Sequence, residues 1–120
     1  MVRRPDRGMV TAELAAVFPV VVLLLGVLLG GVGLVIDQVR CVDAARLGAR
    51  AAARGEPSGT VRALVRQAAP DGATVEVSRN GGAVRVSVRA RARMVGALLP
   101  ESFAPAATAS APLEVGGPAP

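Results

Sequence analysis

The sequence lacks the residue types on which most catalytic and metal sites depend. It contains no histidine, lysine, tryptophan or tyrosine, and it has a single cysteine. The acidic residues are scattered, and no group of side chains has the spacing of metal ligands. A glycine cluster, Gly30-Gly31-Val32-Gly33, lies inside an apolar run and does not follow a strand, so it is not a phosphate loop. The sequence therefore predicts a protein that is not an enzyme and that uses no cofactor or metal.

The single cysteine, Cys41, excludes an internal disulfide, although small exported domains often rely on one. We interpret Cys41 as a small packing residue. Positive charge is carried by arginine alone, and the formal net charge is +5. Single-stranded nucleic acid is usually bound with aromatic side chains interleaved among the basic ones, and this chain has almost no aromatics. Nucleic acid is therefore an unlikely partner.

Apolar residues are abundant, and the uncharged run Leu14–Ile36 is 23 residues long. A helix of that length spans roughly 34 Å, enough for a hydrocarbon core of ~30 Å. Arginines precede the run at positions 3, 4 and 7 and are then absent until Arg40, which places the N-terminus in the cytoplasm. Two other interpretations compete with a prepilin-type leader. One is a secretory signal peptide cut near Gly31-Val32-Gly33, and the other is a plain single-pass anchor.

The start of this run carries an unusual carboxylate, Glu13, five residues after Gly8. An ionisable side chain inside a membrane costs ~2.5–3.5 kcal/mol at mid-bilayer and less near the interface, so it marks a functional site by default. The segment is Arg7-Gly8-Met9-Val10-Thr11-Ala12-Glu13-Leu14, with Pro19 following. It resembles the N-terminus of TadE-like minor pilins, from the tight-adherence branch of type IV pilus systems. The stretch that begins at Cys41 is also similar to actinobacterial members.

The resemblance implies a processing event and a set of partners. A membrane prepilin peptidase would cut between Gly8 and Met9, and Glu13 would be the +5 residue that promotes assembly with other pilin subunits and the inner-membrane platform. Removal of residues 1–8 deletes three arginines and one aspartate, so the net charge falls from +5 to +3. Met9 stands where many type IV pilins have Phe, and Leu14 where major pilins of this branch often have Tyr. These departures, with an outer domain larger than that of the major pilins, favour a minor component.

The predicted membrane helix should bend or loosen at Pro19, which cannot donate to the carbonyl of Ala15. Gly26, Gly30 and Gly33 share one face and would let a second helix approach closely. The helix should continue past the membrane as Asp37–Arg54. Its polar stripe is Arg40, Asp43, Arg46, Arg50 and Arg54, with i, i+3 pairs Asp37–Arg40 and Asp43–Arg46. A thin packing face lies opposite: Cys41, Ala45, Gly48 and Ala52.

The rest of the outer domain changes from helical to strand periodicity. A second, amphipathic helix should begin at a cap on Thr60 or Ser58 and end at Pro70-Asp71-Gly72. Two alternating strands flank Asn80-Gly81, a strong hairpin signal. A two-residue turn there pairs Val77 with Val84, Glu76 with Arg85 and Val75 with Val86. A third strand within 106–115 should be an edge strand or end early because of Pro112. Phe103 is the only aromatic available to the core.

One charged surface is predicted, because Arg85, Arg89, Arg91 and Arg93 alternate along the second strand. A solvated strand face is the simplest interpretation. Anionic lipid head groups, an acidic partner subunit and DNA are the functional alternatives, and DNA is the weakest of them.

We therefore expect an α+β fold: a long N-terminal transmembrane helix that extends outward, then a small pilin-like domain with one amphipathic helix and a roughly three-stranded antiparallel sheet. The expected division is a cleaved leader (1–8), a membrane helix (9–36), an extracytoplasmic domain (37–115) and a disordered tail (116–120). The function that fits is a minor pilin or pseudopilin in the cell membrane. The alternative is a single-pass anchored protein with a small outer binding domain.

Overall fold

The computed structural model describes residues 4–91, 98, 100 and 103–113, with side chains from Gly8 onward. Its first element is one helix, α1, Arg4–Ala53, which is 50 residues long. The helix continues through Pro19 without interruption and begins inside the predicted leader, earlier than expected. The molecule measures 100 × 23 × 18 Å because most of α1 projects from a small domain.

A tight turn ends α1 and starts α2, Ser58–Ala68. Gly55 adopts φ +86°, and the amides of Gly55 and Glu56 donate to the carbonyls of Ala52 and Ala51. This is the Schellman pattern, in which a left-handed glycine satisfies the last carbonyls of a helix. The cap predicted for α2 at Thr60 or Ser58 is wrong. Pro57 is the N-cap without a side-chain hydrogen bond, and its carbonyl accepts from the Val61 amide at 3.0 Å.

Three strands follow as an antiparallel sheet in the order β1-β2-β3. They are β1, Thr74–Asn80; β2, Ala83–Arg89; and β3, Ala106–Pro112. The third strand lies at the edge of the sheet and ends at Pro112, as its proline predicts. The expected α+β architecture is confirmed. The predicted tail, 116–120, lies outside the described residues.

The predicted hairpin register is wrong by two residues. Val77 faces Val86, Glu76 faces Ser87, and Val75 faces Val88. Gly81 and Gly82 have φ values of +59° and +80°, and a type I′ turn needs positive φ at both central positions. The two glycines meet that need without the steric cost that an asparagine would carry. A shift of two leaves every valine on its predicted face, since side chains alternate with a period of two.

The core lies between the outer part of α1, α2 and the inner face of the sheet. The predicted packing face of α1 is confirmed: Cys41, Ala45 and Ala52 are buried, as is Gly48. The largest fully buried apolar side chains are valines of α2 and β2: Val61, Val65, Val84, Val86 and Val88.

The expectation that Phe103 serves the core is wrong, because its exposed fraction is 64%. The helix α1 approaches α2 and β2 closely at Gly48, where a Cβ atom would fall well inside van der Waals contact of Val65 and 3.1 Å from Val86 Cγ1. The buried core cluster consists of cysteine, alanine and valine side chains.

Candidate functional site: the exposed helix and its junction with the sheet domain

The first candidate site is the membrane-length part of α1, which projects from the small domain. Every residue from Gly8 to Leu29 is exposed, and the most apolar window of the helix has none of its residues buried. The described residues contain one helix long and apolar enough to cross a membrane. Such a surface is compatible with a single membrane span or a signal-like anchor.

The predicted processing residues lie in the first turns of α1. No atom lies within 4 Å of the position that a Cβ on Gly8 would take, and Met9 is 64% exposed. Glu13 is also exposed, one helical turn after Met9 on the same face. The structure therefore brings Gly8, Met9 and Glu13 together on an open stretch of helix.

The predicted helix-packing glycines are less uniform. Gly26 is exposed with open space around it, whereas Gly30 and Gly33 are half-buried. Gly30 and Gly33 lie near the point where α1 meets the outer domain. Close packing of a second helix on this face stays a prediction.

The predicted arginine face is only partly built. Arg85 and Arg89 lie exposed on the outer face of β2, four residues apart, or ~13 Å along the strand. Arg91 is exposed but follows the end of β2, and Arg93 lies outside the described residues. The second strand ends at Arg89, sooner than its alternation predicts. The Ala90 amide still donates to the carbonyl of Pro105 at 2.8 Å, in line with the pairing of β2 and β3.

The outer face of the sheet between these arginines is polar and small. Ser87 and Thr108 hydroxyls lie 3.1 Å apart across β2 and β3, so one donates to the other. Glu76 faces Ser87 and not Arg85, as the corrected register requires. The three described arginines do not form one patch: Arg85 lies toward the hairpin end, and Arg89 and Arg91 lie toward the α1 junction.

The junction itself is a site that sequence reasoning missed. Gln38 binds the backbone of Ala106 twice: its Nε2 donates to the carbonyl at 2.9 Å, and its Oε1 accepts from the amide at 2.9 Å. The Cys41 thiol points to the carbonyl of Pro105 at 3.8 Å. These contacts fix the start of β3 to the first outer turn of α1. Only the position of Gln38, just after the apolar run, could have signalled this role.

Asp37 belongs to the same junction and is 1% exposed. The sequence placed it in a surface pair with Arg40, so its burial is a correction. Its residue type gave no signal, because a carboxylate is rarely buried. Burial raises the pKa of the Cys41 thiol above its ordinary value, a hydrogen bond with the backbone at Ala90 lowers it in part, and the Asp37 charge raises it further. The thiol is therefore a protonated packing group.

The sequence also has a relative of known description. Over 86 residues the chain is 41% identical to a protein of Mycobacterium tuberculosis (strain ATCC 25618 / H37Rv) described as apoptosis inhibitor Rv3655c. The aligned part covers 72% of this chain and 68% of the relative. The chain belongs to the family of Rv3655c. No protein-family model matches it, and no solved structure matches it.

The match to Rv3655c is too long to come from the apolar helix alone. Apolar helices can resemble one another through composition alone, but α1 has 50 residues and the match has 86. The similarity must therefore include part of the outer domain. Membership of the Rv3655c family thus concerns the helix and the domain together.

Proposed function

We propose that the chain is a minor pilin or pseudopilin of a tight-adherence, TadE-like type IV pilus system. It is inserted with its N-terminus in the cytoplasm, is cut by a prepilin peptidase between Gly8 and Met9, and assembles through α1 with other pilin subunits on the inner-membrane platform. The observation that carries this proposal is the continuous helix α1, bare over its apolar half and covered by a small domain only at its outer end. That arrangement suits a subunit that exchanges lipid for neighbouring helices.

The same exposed surface of α1 can be covered by lipid before assembly and by other helices after it. In a bilayer, lipid tails cover the exposed apolar side chains. In a fibre, the helices of other subunits cover the same side chains. The apolar area that is covered changes little between the two states, so the direction and register of the helices must be set by polar groups. Glu13 is the charged side chain available at membrane depth for that purpose.

Cleavage creates the partner of Glu13. The new amino group of Met9 has an ordinary pKa of about 7.7–8.0, so it is largely protonated at neutral pH. Before assembly it lies one turn from the Glu13 of its own chain. In a fibre, Glu13 meets the amine of a neighbouring subunit, and this pairing fixes an axial offset. Because buried charges persist mainly when they are paired, only the offset that brings Glu13 to an amine is stabilised.

A second candidate rests on the relative's description as an apoptosis inhibitor. It is a single-pass anchored protein whose outer domain binds another protein. This candidate uses α1 only as an anchor, so it requires neither cleavage after Gly8 nor a role for the Glu13 charge. The state of the N-terminus separates the two.

The first experiment is mass spectrometry of the protein purified from cells that contain the peptidase. We expect Met9 as the first residue. An intact terminus at Met1 or Val2 in those cells would overturn the pilin proposal and leave the anchored binding protein.

The second experiment is Glu13→Gln, which keeps the size of the side chain and removes its charge. The variant should be cleaved and inserted normally but should co-purify less with sheared pili or partner pilins. Glu76→Gln is the matched control, since it removes one exposed carboxylate from the sheet and should leave incorporation unchanged. Incorporation of fully cleaved Glu13→Gln at the wild-type level would show that the charge has no role in assembly.

A further inference from the structure

The direction of the sheet relative to α1 decides which end of the domain faces the membrane. Ala106, the first residue of β3, is bound to Gln38, and β3 then follows α1 outward, past Val42 and Ala45. Arg89 pairs with Ala106, so the end of β2 lies at the same level. The connection between β2 and β3 therefore starts and ends on the side of the domain toward the apolar half of α1.

The distances place this connection at the bilayer surface. Gln38 follows Ile36, the last residue of the apolar run, by two positions, or ~3 Å along a helix. The interfacial layer on each side of a bilayer is about 5–7 Å thick, judging from a ~30 Å hydrocarbon core and 40–45 Å overall. Pro105 and Ala106 lie at the level of Gln38, so they fall within that layer. Phe103, three residues before Ala106, is at most ~10 Å away.

The exposed side chains at this end have the composition of an interfacial contact. Phe103 is 64% exposed. Its amide donates to the Pro100 carbonyl at 2.9 Å, which forms a local turn. Arg89 and Arg91 stand exposed beside the start of the connection. The chain has only two aromatic residues, Phe18 in the apolar run and Phe103 here.

We propose that Arg89, Arg91 and Phe103 form a membrane foot, a second contact of the domain with the outer leaflet of the bilayer that α1 crosses. Phe103 inserts at the boundary between head groups and acyl chains, and the two arginines bind anionic head groups. Amphipathic surfaces of this kind combine apolar insertion with attraction to anionic lipid. The foot and α1 are two points of attachment, so together they fix the tilt of the domain on the membrane. This inference rests on the membrane anchoring in the proposed function.

The chain has no tryptophan, so one introduced indole is the only strong emitter in the protein. The experiment uses three single substitutions in the full chain, reconstituted in vesicles of phosphatidylglycerol and phosphatidylcholine with and without brominated lipid. F103W reports the foot, F18W reports the apolar run of α1, and N80W reports the far end of the hairpin. We expect blue-shifted emission for F103W and quenching by lipid intermediate between that of F18W and N80W.

Each outcome tests a different part of the proposal. Strong quenching of F18W with F103W no more quenched than N80W would overturn the foot and leave the anchor intact. Absence of quenching in F18W would overturn the anchor itself. If F103W emits to the blue but bromine does not quench it, Phe103 is covered by protein, and the lipid contact is wrong. Protection of Cys41 from a thiol reagent in each variant confirms that the domain is folded.

Two arginine substitutions, one in the foot and one outside it, test the contact with anionic head groups. R89Q in the F103W background should weaken the response of emission to added phosphatidylglycerol, whereas R85Q should not. Both arginines are exposed on the same face of β2, but Arg85 lies ~13 Å farther along the strand from the junction. Equal effects of R89Q and R85Q would show that the lipid response follows net charge and not the foot.

Discussion

Gly48 allows the sharpest test of how the outer domain is packed. A Cβ atom on Gly48 would fall well inside van der Waals contact of Val65 Cγ2 and 3.1 Å from Val86 Cγ1. Carbon atoms normally approach to about 3.5–4.0 Å. Val65 and Val86 are fully buried and β-branched, so neither side chain can rotate away. Gly48→Ala must therefore push α1 away from α2 and β2.

The magnitude follows from two opposing terms. Adding a methyl group to a filled core typically costs about 1–3 kcal/mol. Replacing glycine by alanine inside a helix returns about 1 kcal/mol. The difference is a net loss of roughly 0–2 kcal/mol, and we expect the upper end, about 30-fold in the folding equilibrium, because both clashing side chains are fully buried. In a domain whose largest buried apolar side chains are valines, that is a large fraction of the total stability.

The control is the same substitution where space is open. Gly59 is the second residue of α2, and no atom outside its own stretch of helix comes within 4 Å of the position that a Cβ on Gly59 would take. Gly59→Ala should therefore stabilise the domain, by up to about 1 kcal/mol, through helix propensity alone. The two variants share one chemical change and differ in the sign of its effect.

The assay uses Cys41, the only thiol, which is fully buried at the junction. Its rate of labelling by a maleimide, measured on the full chain in micelles across a urea series, reports opening of the domain. Gly48→Ala should label faster than wild type at low urea, and Gly59→Ala should label more slowly. A Gly48→Ala protein as protected as wild type, beside a stabilised Gly59→Ala, would refute the close approach of α1 to α2 and β2.

Two further perturbations test the buried face of β2 and the titration of Cys41. Val86→Asp places a charge at a position with 0% exposure and should abolish cooperative protection of Cys41, whereas Ser87→Asp on the opposite face should retain it. An unchanged urea midpoint for Val86→Asp would mean that the inward face is misassigned. Because the folded-state pKa of Cys41 is raised, its contribution is fully present below the unfolded pKa, about 8.5, and is lost as the pH rises toward the folded pKa. The chain has no lysine or tyrosine, so Cys41→Ala should remove most of the fall in unfolding midpoint above that pH. The midpoint is followed by circular dichroism in both proteins, because the variant has no thiol to label, and an unchanged fall would contradict the assignment.

Periodicity predicted the elements of the fold well because it depends on which face each residue occupies. The helical stripe from Arg40 to Arg54 and the alternating valines of β2 gave the correct buried faces. The register failed because the turn depends on backbone conformation at single residues. Asn80-Gly81 and Gly81-Gly82 are both acceptable turn sequences, and both pairings bury the same valines.

The candidate site shows the same difference between local and long-range information. The processing and assembly site at Gly8, Met9 and Glu13 could be predicted from sequence because its spacing along one helix is local, and it stays a prediction. Gln38 and Phe103 could not be placed, since the hydrogen bonds of Gln38 join residues 68 positions apart and the position of Phe103 depends on the direction of β3. Phe103 was assigned to the core because the outer domain has no other aromatic residue, and its exposure shows that this assignment is wrong.

The junction connects the axial position of α1 with the position of the outer face of the sheet. Residues 37–53 of α1 supply one wall of the core, and the same helix continues inward without interruption to Glu13. In the proposed fibre, a charge pair that fixes the axial offset of Glu13 would also fix the height of the sheet, because one continuous helix joins them. Gln38 and Cys41 hold the start of β3 against α1, so a shift of β3 along α1 must break the two Gln38 hydrogen bonds or open the valine core. The proposed assembly through α1 would thus be coupled to presentation of the outer sheet face.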